Sequence, residues 1–290
     1  MCVSCVSWIT LPRTPPCRNT LPGAVPLTPM SRRRLDTLLA ERGLAGSRTS
    51  AAASVRAGLV RLGRGGRRAE KPGQLVAEDA ELVVEERPRY ASRGGTKLEN
   101  AIRALGIQVE RRACLDVGAS TGGFTDCLLQ HGAARVVALD VGYGQLDWRL
   151  RQDPRVDVLE RTNVRHLRPE DLPFEPGLAT VDVSFISLAK VLPAVARCLA
   201  PGGEVLALVK PQFELGPERV GKGGVVREAG ARRAALVSVA RTARGIGLHV
   251  RGFASSGLPG PKGNRETFIL CSLQGPGIED VEEAALEVEP

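Results

Sequence analysis

Aromatic residues are scarce in this chain of 290 residues, where they make up 3% against 43% for all hydrophobic residues together. A sizeable core can form, but it must be aliphatic and built mainly from valine, leucine and alanine. No apolar run approaches the roughly 20 residues that a membrane-spanning helix needs. An interfacial helix needs a bulky apolar face, which a chain this poor in aromatics does not offer. A membrane-active function is therefore disfavoured.

Cysteine and histidine are too dispersed to form a disulfide framework or a metal site. Seven cysteines in a chain of this length do not make a disulfide scaffold. Cys2 and Cys5 form one Cys-x-x-Cys phrase without a second pair, and the three histidines show no ligand spacing. We therefore expect no metal ion, and we expect cysteines that stay reduced in the cytoplasm.

Charge is distributed unevenly along the chain. Residues 1–30 contain only two charged residues, Arg13 and Arg18, whereas residues 275–290 contain six acids and no base. The body between them is therefore more basic than the net charge of +8 for the whole chain, which suggests a polyanionic partner such as a nucleic acid. We interpret residues 1–30 as disordered, or as the product of an upstream start codon with Met30 as the true start. We predict that the acidic tail, residues 275–290, is also disordered.

Residues 31–87 contain two short amphipathic helix patterns, followed by strand patterns at 59–62 and 80–84 that form a hairpin. Guanidinium groups along such a small α+β module suit RNA, because they bind phosphates bidentately. For any single arginine, a solvated helix face is the simpler explanation. The candidate RNA-binding residues are Arg33, Arg34, Arg48, Arg56 and Arg61.

Beyond a short linker at residues 88–95, a helix pattern at 96–105 precedes an alternation of strands and helices. Near-continuous apolar strands separated by helices predict a parallel sheet with both faces covered. The last two strands are joined without a helix, so the final strand must run antiparallel. This predicts an α/β, Rossmann-like sheet of seven strands in a domain spanning 96–274. The strands are predicted at 113–117, 135–141, 156–160, 178–183, 204–210, 248–254 and 266–273, and the later helices at 122–131, 146–152, 187–199 and 228–244.

The first strand of this domain ends in a glycine-rich loop that opens a helix. Glycine lets the backbone approach a ligand closely, and the helix N-terminus offers unpaired N–H groups. Asp140 follows the second strand, 22 residues after Gly118, where a carboxylate can bind both hydroxyls of a ribose. The predicted cofactor contacts are Asp116, Gly118, Ser120, Gly122, Gly123, Asp140 and Asn163.

This layout alone fits NAD as well as S-adenosylmethionine, and a glycine turn can also be purely structural. Three details favour S-adenosylmethionine. Asp116 precedes the first glycine by two positions, and Ser120 takes the place of the second glycine of a dinucleotide fingerprint. The antiparallel last strand is not expected in a dehydrogenase.

Four ionisable residues lie at or beside the predicted strand ends: Lys97, Asp182, Lys210 and Glu266. A charged side chain at the edge of an apolar run is costly unless it is paired, and ligand sites gather at the carboxyl edge of open α/β sheets. A ribose hydroxyl is a poor nucleophile at neutral pH, and a lysine serves as its base only if burial or a second cation favours the neutral amine. We predict that the four side chains form a proton-handling site for methylation of a sugar hydroxyl. Each of them taken singly could be an ordinary charged strand end.

Several short phrases of this chain, such as Val209-Lys-Pro-Gln-Phe-Glu214, resemble those of the TlyA family of ribosomal RNA methyltransferases. Members of this family are often named hemolysins and are related to the FtsJ-like 2′-O-methyltransferases. Residues 31–87 resemble the RNA-binding domain named after the small-subunit ribosomal protein S-four. The resemblance covers about 31–273. The phrases that carry it are Arg34-Leu-Asp-Thr-Leu-Leu, Ser92-Arg-Gly-Gly-Thr-Lys97-Leu, Leu115-Asp-Val-Gly-Ala-Ser-Thr-Gly-Gly-Phe-Thr-Asp126, Ala138-Leu-Asp-Val-Gly-Tyr-Gly144, Asp182-Val-Ser-Phe-Ile-Ser187, Val209-Lys-Pro-Gln-Phe-Glu214 and Gly221-Lys-Gly-Gly-Val225.

The resemblance implies a Lys-Asp-Lys-Glu tetrad on Lys97, Asp182, Lys210 and Glu266, with S-adenosyl-L-methionine as the cofactor. It also implies 2′-O-methylation of cytidine in 16S or 23S ribosomal RNA, or both, within ribosomal subunits. We expect a monomer that acts without a membrane or a metal. The alternatives are a ribosome-assembly factor whose methylation is incidental, and a membrane-active hemolysin.

Overall fold

A computed structural model describes residues 31–85 and 88–289, and the chain divides into an N-terminal unit up to Arg87 and a C-terminal unit from Pro88. The interpretation of residues 1–30 lies outside the described residues.

Within residues 31–85, the N-terminal unit contains two helices and two pairs of antiparallel strands. Its elements are β1 (Arg32–Arg34), α1 (Leu35–Glu41), α2 (Arg48–Arg56), β2 (Val60–Leu62), β3 (Leu75–Ala77) and β4 (Leu82–Val84). β2 pairs with β4, as predicted for the hairpin, and β1 pairs with β3. β1 was missed because three consecutive arginines carry none of the alternation that marks a strand.

Local sequence explains where the second helix of this unit begins and ends. The hydroxyl of Ser47 accepts a hydrogen bond from the backbone N–H of Ser50 at 3.1 Å, which caps the first turn of α2. Gly58 follows the helix with a φ of +70°, a conformation that glycine adopts at little cost. The apolar faces of the helices and strands meet in an aliphatic core that includes Leu35, Leu38, Leu39, Val55, Val60 and Val76.

The C-terminal unit is built on one seven-stranded sheet. Its elements are α3 (Arg93–Leu105), β5 (Ala113–Val117), α4 (Gly123–Gln130), β6 (Arg135–Leu139), α5 (Trp148–Arg151), β7 (Val156–Leu159), β8 (Leu178–Val181), α6 (Leu192–Cys198), β9 (Glu204–Val209), α7 (Pro211–Glu214), α8 (Ala229–Gly245), β10 (His249–Ser255), β11 (Thr267–Ser272) and α9 (Val281–Val288). The strand order is β10-β11-β9-β8-β5-β6-β7, and β11 alone runs against the other six. The predicted α/β sheet with its antiparallel last strand is therefore confirmed.

Alternation along the strands divides the buried side chains between the two faces of this sheet. In β9, Val205 and Ala207 belong to one core cluster, whereas Leu206 and Leu208 belong to the other. Both clusters consist mostly of Leu, Val and Ala, and the rings of Phe124 and Phe268 lie 5.9 Å apart in one of them. Helices cover both faces, so the inner strands β5, β8, β9 and β11 are buried along most of their length, and the functional groups are left to the sheet edge.

The acidic tail was predicted to be disordered, and the structure corrects this. Residues 281–288 form α9, which packs with buried Val281 and Ala285 against the unit. Glu289 is buried and accepts a hydrogen bond from Nε of Arg232 at 2.8 Å. The prediction failed because net charge masked an apolar stripe at i and i+4 on this helix and a buried partner for one of its carboxylates.

The segment predicted as a linker, residues 88–95, is also part of the C-terminal unit. Tyr90 is buried in its core, and α3 begins at Arg93 instead of the predicted residue 96. The hydroxyl of Ser92 accepts a hydrogen bond from the N–H of Gly94 and caps this helix.

Candidate active site

The four predicted catalytic side chains come from four elements that meet at one edge of the sheet. Asp182 and Lys210 directly follow β8 and β9, whereas Glu266 directly precedes β11. Because β11 is antiparallel to β9, its beginning lies at the edge where the parallel strands end. Lys97 reaches the same edge from α3.

Lys97 and Glu266 form a buried ion pair. Nζ of Lys97 lies 2.5 Å from Oε2 of Glu266, and only 9% and 1% of the two side-chain surfaces are exposed. Burying a charge this deeply costs on the order of several kcal/mol unless a partner of opposite charge compensates it. Each of the two side chains therefore depends on the other for its place in the fold.

Lys210 and Asp182 form a second, more accessible pair. Nζ of Lys210 lies 2.6 Å from Oδ1 of Asp182 and donates a hydrogen bond to the hydroxyl of Ser184 at 3.0 Å. Oδ1 is itself buried, and its contact with the lysine lacks hydrogen-bond geometry, so the attraction is electrostatic. The carboxylate thus keeps acceptor capacity for a ligand group.

Both ion pairs line one cavity of about 350 Å³. A larger cleft of about 1010 Å³ adjoins it and runs along the ends of β5, β6 and β7. Gly118, Ser120 and Asp182 line both spaces, so they mark the junction between them. We call the smaller space the acceptor cavity and the larger one the cofactor cleft.

The glycine-rich loop after β5 fits tightly among its neighbours. Gly118 has a φ of +85°, and a Cβ atom there would lie 2.4 Å from the carbonyl oxygen of Asp182. A Cβ atom on Gly123 would lie 2.1 Å from the hydroxyl of Ser92, so glycine also lets α3 approach this loop. Gly122 was predicted to contact the cofactor. In the structure it faces apolar side chains and lines neither the cavity nor the cleft.

Asp140 and Asn163, two of the predicted cofactor contacts, line the cofactor cleft, and their contact with a cofactor stays a prediction. The carboxylate of Asp140 accepts hydrogen bonds from the N–H groups of Ser120 at 2.8 Å and Gly142 at 2.7 Å. These bonds orient it at the end of β6 and leave each oxygen able to accept one more. Asn163 accepts a bond from the N–H of Arg165 at 3.1 Å, which holds its side chain at the cleft wall.

Asp116 does not lie where the sequence predicted a cofactor contact. It is fully buried and accepts hydrogen bonds from the hydroxyls of Thr125 in α4 at 2.6 Å and of Thr180 in β8 at 3.4 Å. Burial raises the pKa of this carboxyl to about 7, against the opposing hydrogen bonds. The spacing from the glycines pointed to a buried acid that lines neither the cavity nor the cleft, because its side chain turns into the core between α4 and β8.

Four of the five predicted RNA-binding arginines form ion pairs within the N-terminal unit. Arg34 and Arg48 contact the buried carboxylate of Asp36 at 2.7 and 3.2 Å, and the Arg34 guanidinium holds the pKa of Asp36 well below its usual range. Arg56 is exposed and makes no ion pair with any residue of 31–85 or 88–289. The other pairs are Arg33 with Glu41 and Arg61 with Glu85.

Several further residues of the site were not singled out from the sequence. Ser184 bonds to Lys210, and the buried Oε1 of Gln212, at the wall of the cofactor cleft, has no hydrogen-bond partner. Phe185 is 90% exposed at a φ of +63°, with its ring 5.1 Å from that of Phe213. The sequence could have identified these residues by their place in the phrases that follow β8 and β9. The two phenylalanines stand out further, because aromatic residues are rare in this chain.

Comparison with known proteins agrees with this geometry. The model of the FtsJ-like methyltransferase family matches residues 90–273, and that of the S4 domain matches residues 33–82. The 16S/23S rRNA (cytidine-2′-O)-methyltransferase TlyA of Mycobacterium tuberculosis is 47% identical over 270 residues, which cover 90% of this chain and 100% of that protein. The chain belongs to the TlyA family of FtsJ-like methyltransferases. The family and the enzyme class expected from the sequence are thereby confirmed.

Other relatives in the TlyA family carry the hemolysin name. Hemolysin A of Brachyspira hyodysenteriae is 38% identical, over 80% of this chain and 97% of that protein. A solved structure from Streptococcus thermophilus, described as a hemolysin, is 42% identical with a TM-score of 0.67 and covers 89% of this chain and 96% of that chain. In the part of the present chain that the structure describes, no helix has the length and apolar character needed to cross a membrane. The same residues contain no cluster of three or more metal-ligating side chains.

Proposed function

We propose that this protein transfers the methyl group of S-adenosylmethionine to the 2′-hydroxyl of a cytidine in 16S or 23S ribosomal RNA, or both, within ribosomal subunits. The observation that carries the proposal is the pair of lysine–carboxylate contacts lining one cavity beside the cofactor cleft. The relative from Mycobacterium tuberculosis is a 16S/23S rRNA (cytidine-2′-O)-methyltransferase, which supports the choice of cytidine and ribosomal RNA.

The lining of the cofactor cleft fits S-adenosylmethionine. The buried Oε1 of Gln212 lacks a hydrogen-bond partner at the wall of this cleft and suits a ligand with an ammonium group. Asp140 would hold the ribose hydroxyls, and Asn163 with Val164 would flank the adenine. When bound, this cofactor supplies an electrophilic methyl group.

The acceptor cavity supplies the groups that the transfer needs. The 2′-oxygen attacks the methyl carbon, its proton must leave, and the electron pair of the broken carbon–sulfur bond stays on sulfur. Lys210 lines the acceptor cavity, and its partner Asp182 lies at the junction with the cofactor cleft, so we assign Lys210 the role of accepting the hydroxyl proton. Asp182 and Ser184 orient its nitrogen, and the Lys97–Glu266 pair orients the hydroxyl. Holding the oxygen, carbon and sulfur atoms in line can lower the activation barrier by roughly several kcal/mol.

The N-terminal unit contributes RNA affinity in this proposal. The match to the S4 domain supports this role. The exposed basic side chains of the unit would contact phosphates of the RNA. If deletion of residues 31–87 left the affinity for ribosomal RNA and its dependence on salt unchanged, this role would be wrong.

The direct test is methylation of purified ribosomal subunits by the full chain and by Lys210→Ala and Asp182→Ala. We expect wild type to incorporate labelled methyl groups at cytidine, mapped by mass spectrometry of digested RNA, and both variants to lose at least about 100-fold in rate. Arg197→Ala is the matched control, because Arg197 is exposed at the far end of α6 and should not affect the rate. Methylation at a base atom, or full activity of Lys210→Ala, would contradict the proposal.

A cellular assay separates the enzyme from an assembly factor with incidental methylation. Cells that carry the inactive Lys210→Ala protein should show the same ribosome defect as cells without the protein. Normal ribosomes in these cells would favour the assembly factor.

A further inference from the structure

The side chain of Asn264 fastens two glycine-rich loops together. It is 2% exposed, its Oδ1 accepts a hydrogen bond from the N–H of Val226 at 2.9 Å, and its Nδ2 donates to the carbonyl of Gly224 at 2.7 Å. Its own carbonyl accepts from the N–H of Gly260 at 2.8 Å. We call residues 221–226 the glycine loop and residues 256–265 the Glu266 loop.

The Glu266 loop forms part of the wall of the acceptor cavity. Pro259 and Pro261 line the cavity beside Glu266. Gly260 packs so closely on that carboxylate that a Cβ atom would lie 2.3 Å from its Oε1. The contacts of Asn264 therefore hold the glycine loop next to the wall that faces the acceptor.

The two loops carry positive charge without compensation. They contain two lysines and one arginine and no acid: Lys222, Lys262 and Arg265. All three are exposed, and none makes an ion pair with a described residue. The aliphatic chain of Lys262 lies beside Gly224, with Nζ 3.8 Å from the position of a Cβ atom there. Arg93, which lines the cavity, donates to the carbonyl of Pro259 at 3.2 Å and likewise has no ion pair among these residues.

Many other basic side chains in the same unit do have an acidic partner. Arg112, Arg135, Arg151, Arg155 and Arg168 each lie within 4.0 Å of a carboxylate. Basic side chains left unpaired beside a cavity keep their charge for a partner, and the long stem of a lysine lets its ammonium group reach a phosphate.

We propose that the glycine loop and the Glu266 loop form a phosphate-binding rim for the RNA strand that enters the acceptor cavity. Lys222 and Lys262 bind backbone phosphates that flank the target nucleotide. Asn264 is a positioning residue that keeps both lysines on the same side of the cavity. This inference rests on the proposed function and names a second contact area for the RNA, on the C-terminal unit.

The test compares steady-state methylation of ribosomal subunits by wild type, Lys222→Ala/Lys262→Ala and Asn264→Ala, with Arg197→Ala as the control. We expect the double-lysine variant to raise KM for RNA about 5- to 30-fold and to reduce the slope of log affinity against log salt by about 1.4–1.8, as for two lost phosphate contacts. The kcat and the Kd for S-adenosylmethionine should stay within about twofold, because neither loop lines the cofactor cleft. Asn264→Ala should raise KM for RNA to a similar extent.

Asn264→Asp covers the case in which the alanine variant does not fold. The aspartate keeps the acceptor for the N–H of Val226 but places an oxygen against the carbonyl of Gly224, so the loops should separate and KM for RNA should rise. An unchanged KM in this variant would remove the positioning role of Asn264. An unchanged KM and salt slope in the double-lysine variant would remove the rim. Both results presuppose methylation by wild type, whose absence would instead refute the proposed function.

Discussion

Replacing Lys97 with methionine should destabilise the protein and abolish methyl transfer, and a second substitution should separate the two losses. Glu266 has 1% of its side-chain surface exposed, and its described partner is the ammonium group 2.5 Å away. Breaking a buried pair by removing one partner costs about 3–5 kcal/mol, because it leaves an uncompensated charge. For a unit of this size, each kcal/mol lowers Tm by about 2–4 °C, so a fall of about 6–20 °C is expected.

The double variant Lys97→Met/Glu266→Leu should recover most of this stability. It replaces both buried charges with apolar groups of similar volume, which is often neutral for folding. Calorimetry should place its Tm within a few degrees of wild type, whereas transfer of labelled methyl groups to ribosomal RNA should remain absent. Lys210→Met is the comparison, because its pair is 12% and 26% exposed, so its loss of stability should be smaller than that of Lys97→Met.

Two results would refute this reasoning. If the single variant melted like wild type, the pair would not be buried as described. If the stable double variant methylated RNA at the wild-type rate, Lys97 and Glu266 would serve the fold and not the reaction.

Three further predictions follow from particular contacts. Asp116 has a pKa raised to about 7 by burial, so its contribution to stability is present below about pH 4 and is lost as pH rises through 7. The free energy of unfolding of wild type should therefore fall between pH 5 and 8 relative to that of Asp116→Asn, and parallel denaturant titrations would contradict the burial argument. Gly118→Ala should weaken S-adenosylmethionine binding by about tenfold or more in calorimetric titration, because φ is +85° and the new Cβ would meet the carbonyl of Asp182; unchanged affinity would show that the loop can shift freely. Arg56→Ala should weaken RNA binding and its salt dependence without a change in Tm, whereas Arg34→Ala should also lower Tm, because it removes a partner of the buried Asp36; equal effects of the two variants on Tm would overturn this distinction.

The sheet was predictable because its signals are local. Apolar runs of strand length, separated by helix patterns, specify parallel strands covered on both faces, and the glycine–proline connection before β11 specifies the antiparallel return. The acidic tail misled because its charge is obvious in one dimension, whereas its buried contact with Arg232 exists only after folding.

The site was predictable in its membership but not in its pairing. Lys97 and Glu266 stand 169 positions apart, and their position in the chain gives no indication that they contact each other and not Asp182 or Lys210. For Asp116, the sequence led to a wrong placement. Its spacing from the glycines suggested a cofactor contact, but spacing does not reveal that the side chain turns into the core. The catalytic role of the four residues stays a prediction until variants are measured.

The order of residues along the chain by itself determined the strands of the seven-stranded sheet, most of its covering helices and which charged groups arrive at the sheet edge, because periodicity and strand termini are encoded within a few residues. Folding decided which lysine meets which carboxylate, which acid is enclosed, and how Asn264 joins two distant loops. Those outcomes depend on distances of a few ångströms between segments far apart in the chain, and only close packing sets such distances.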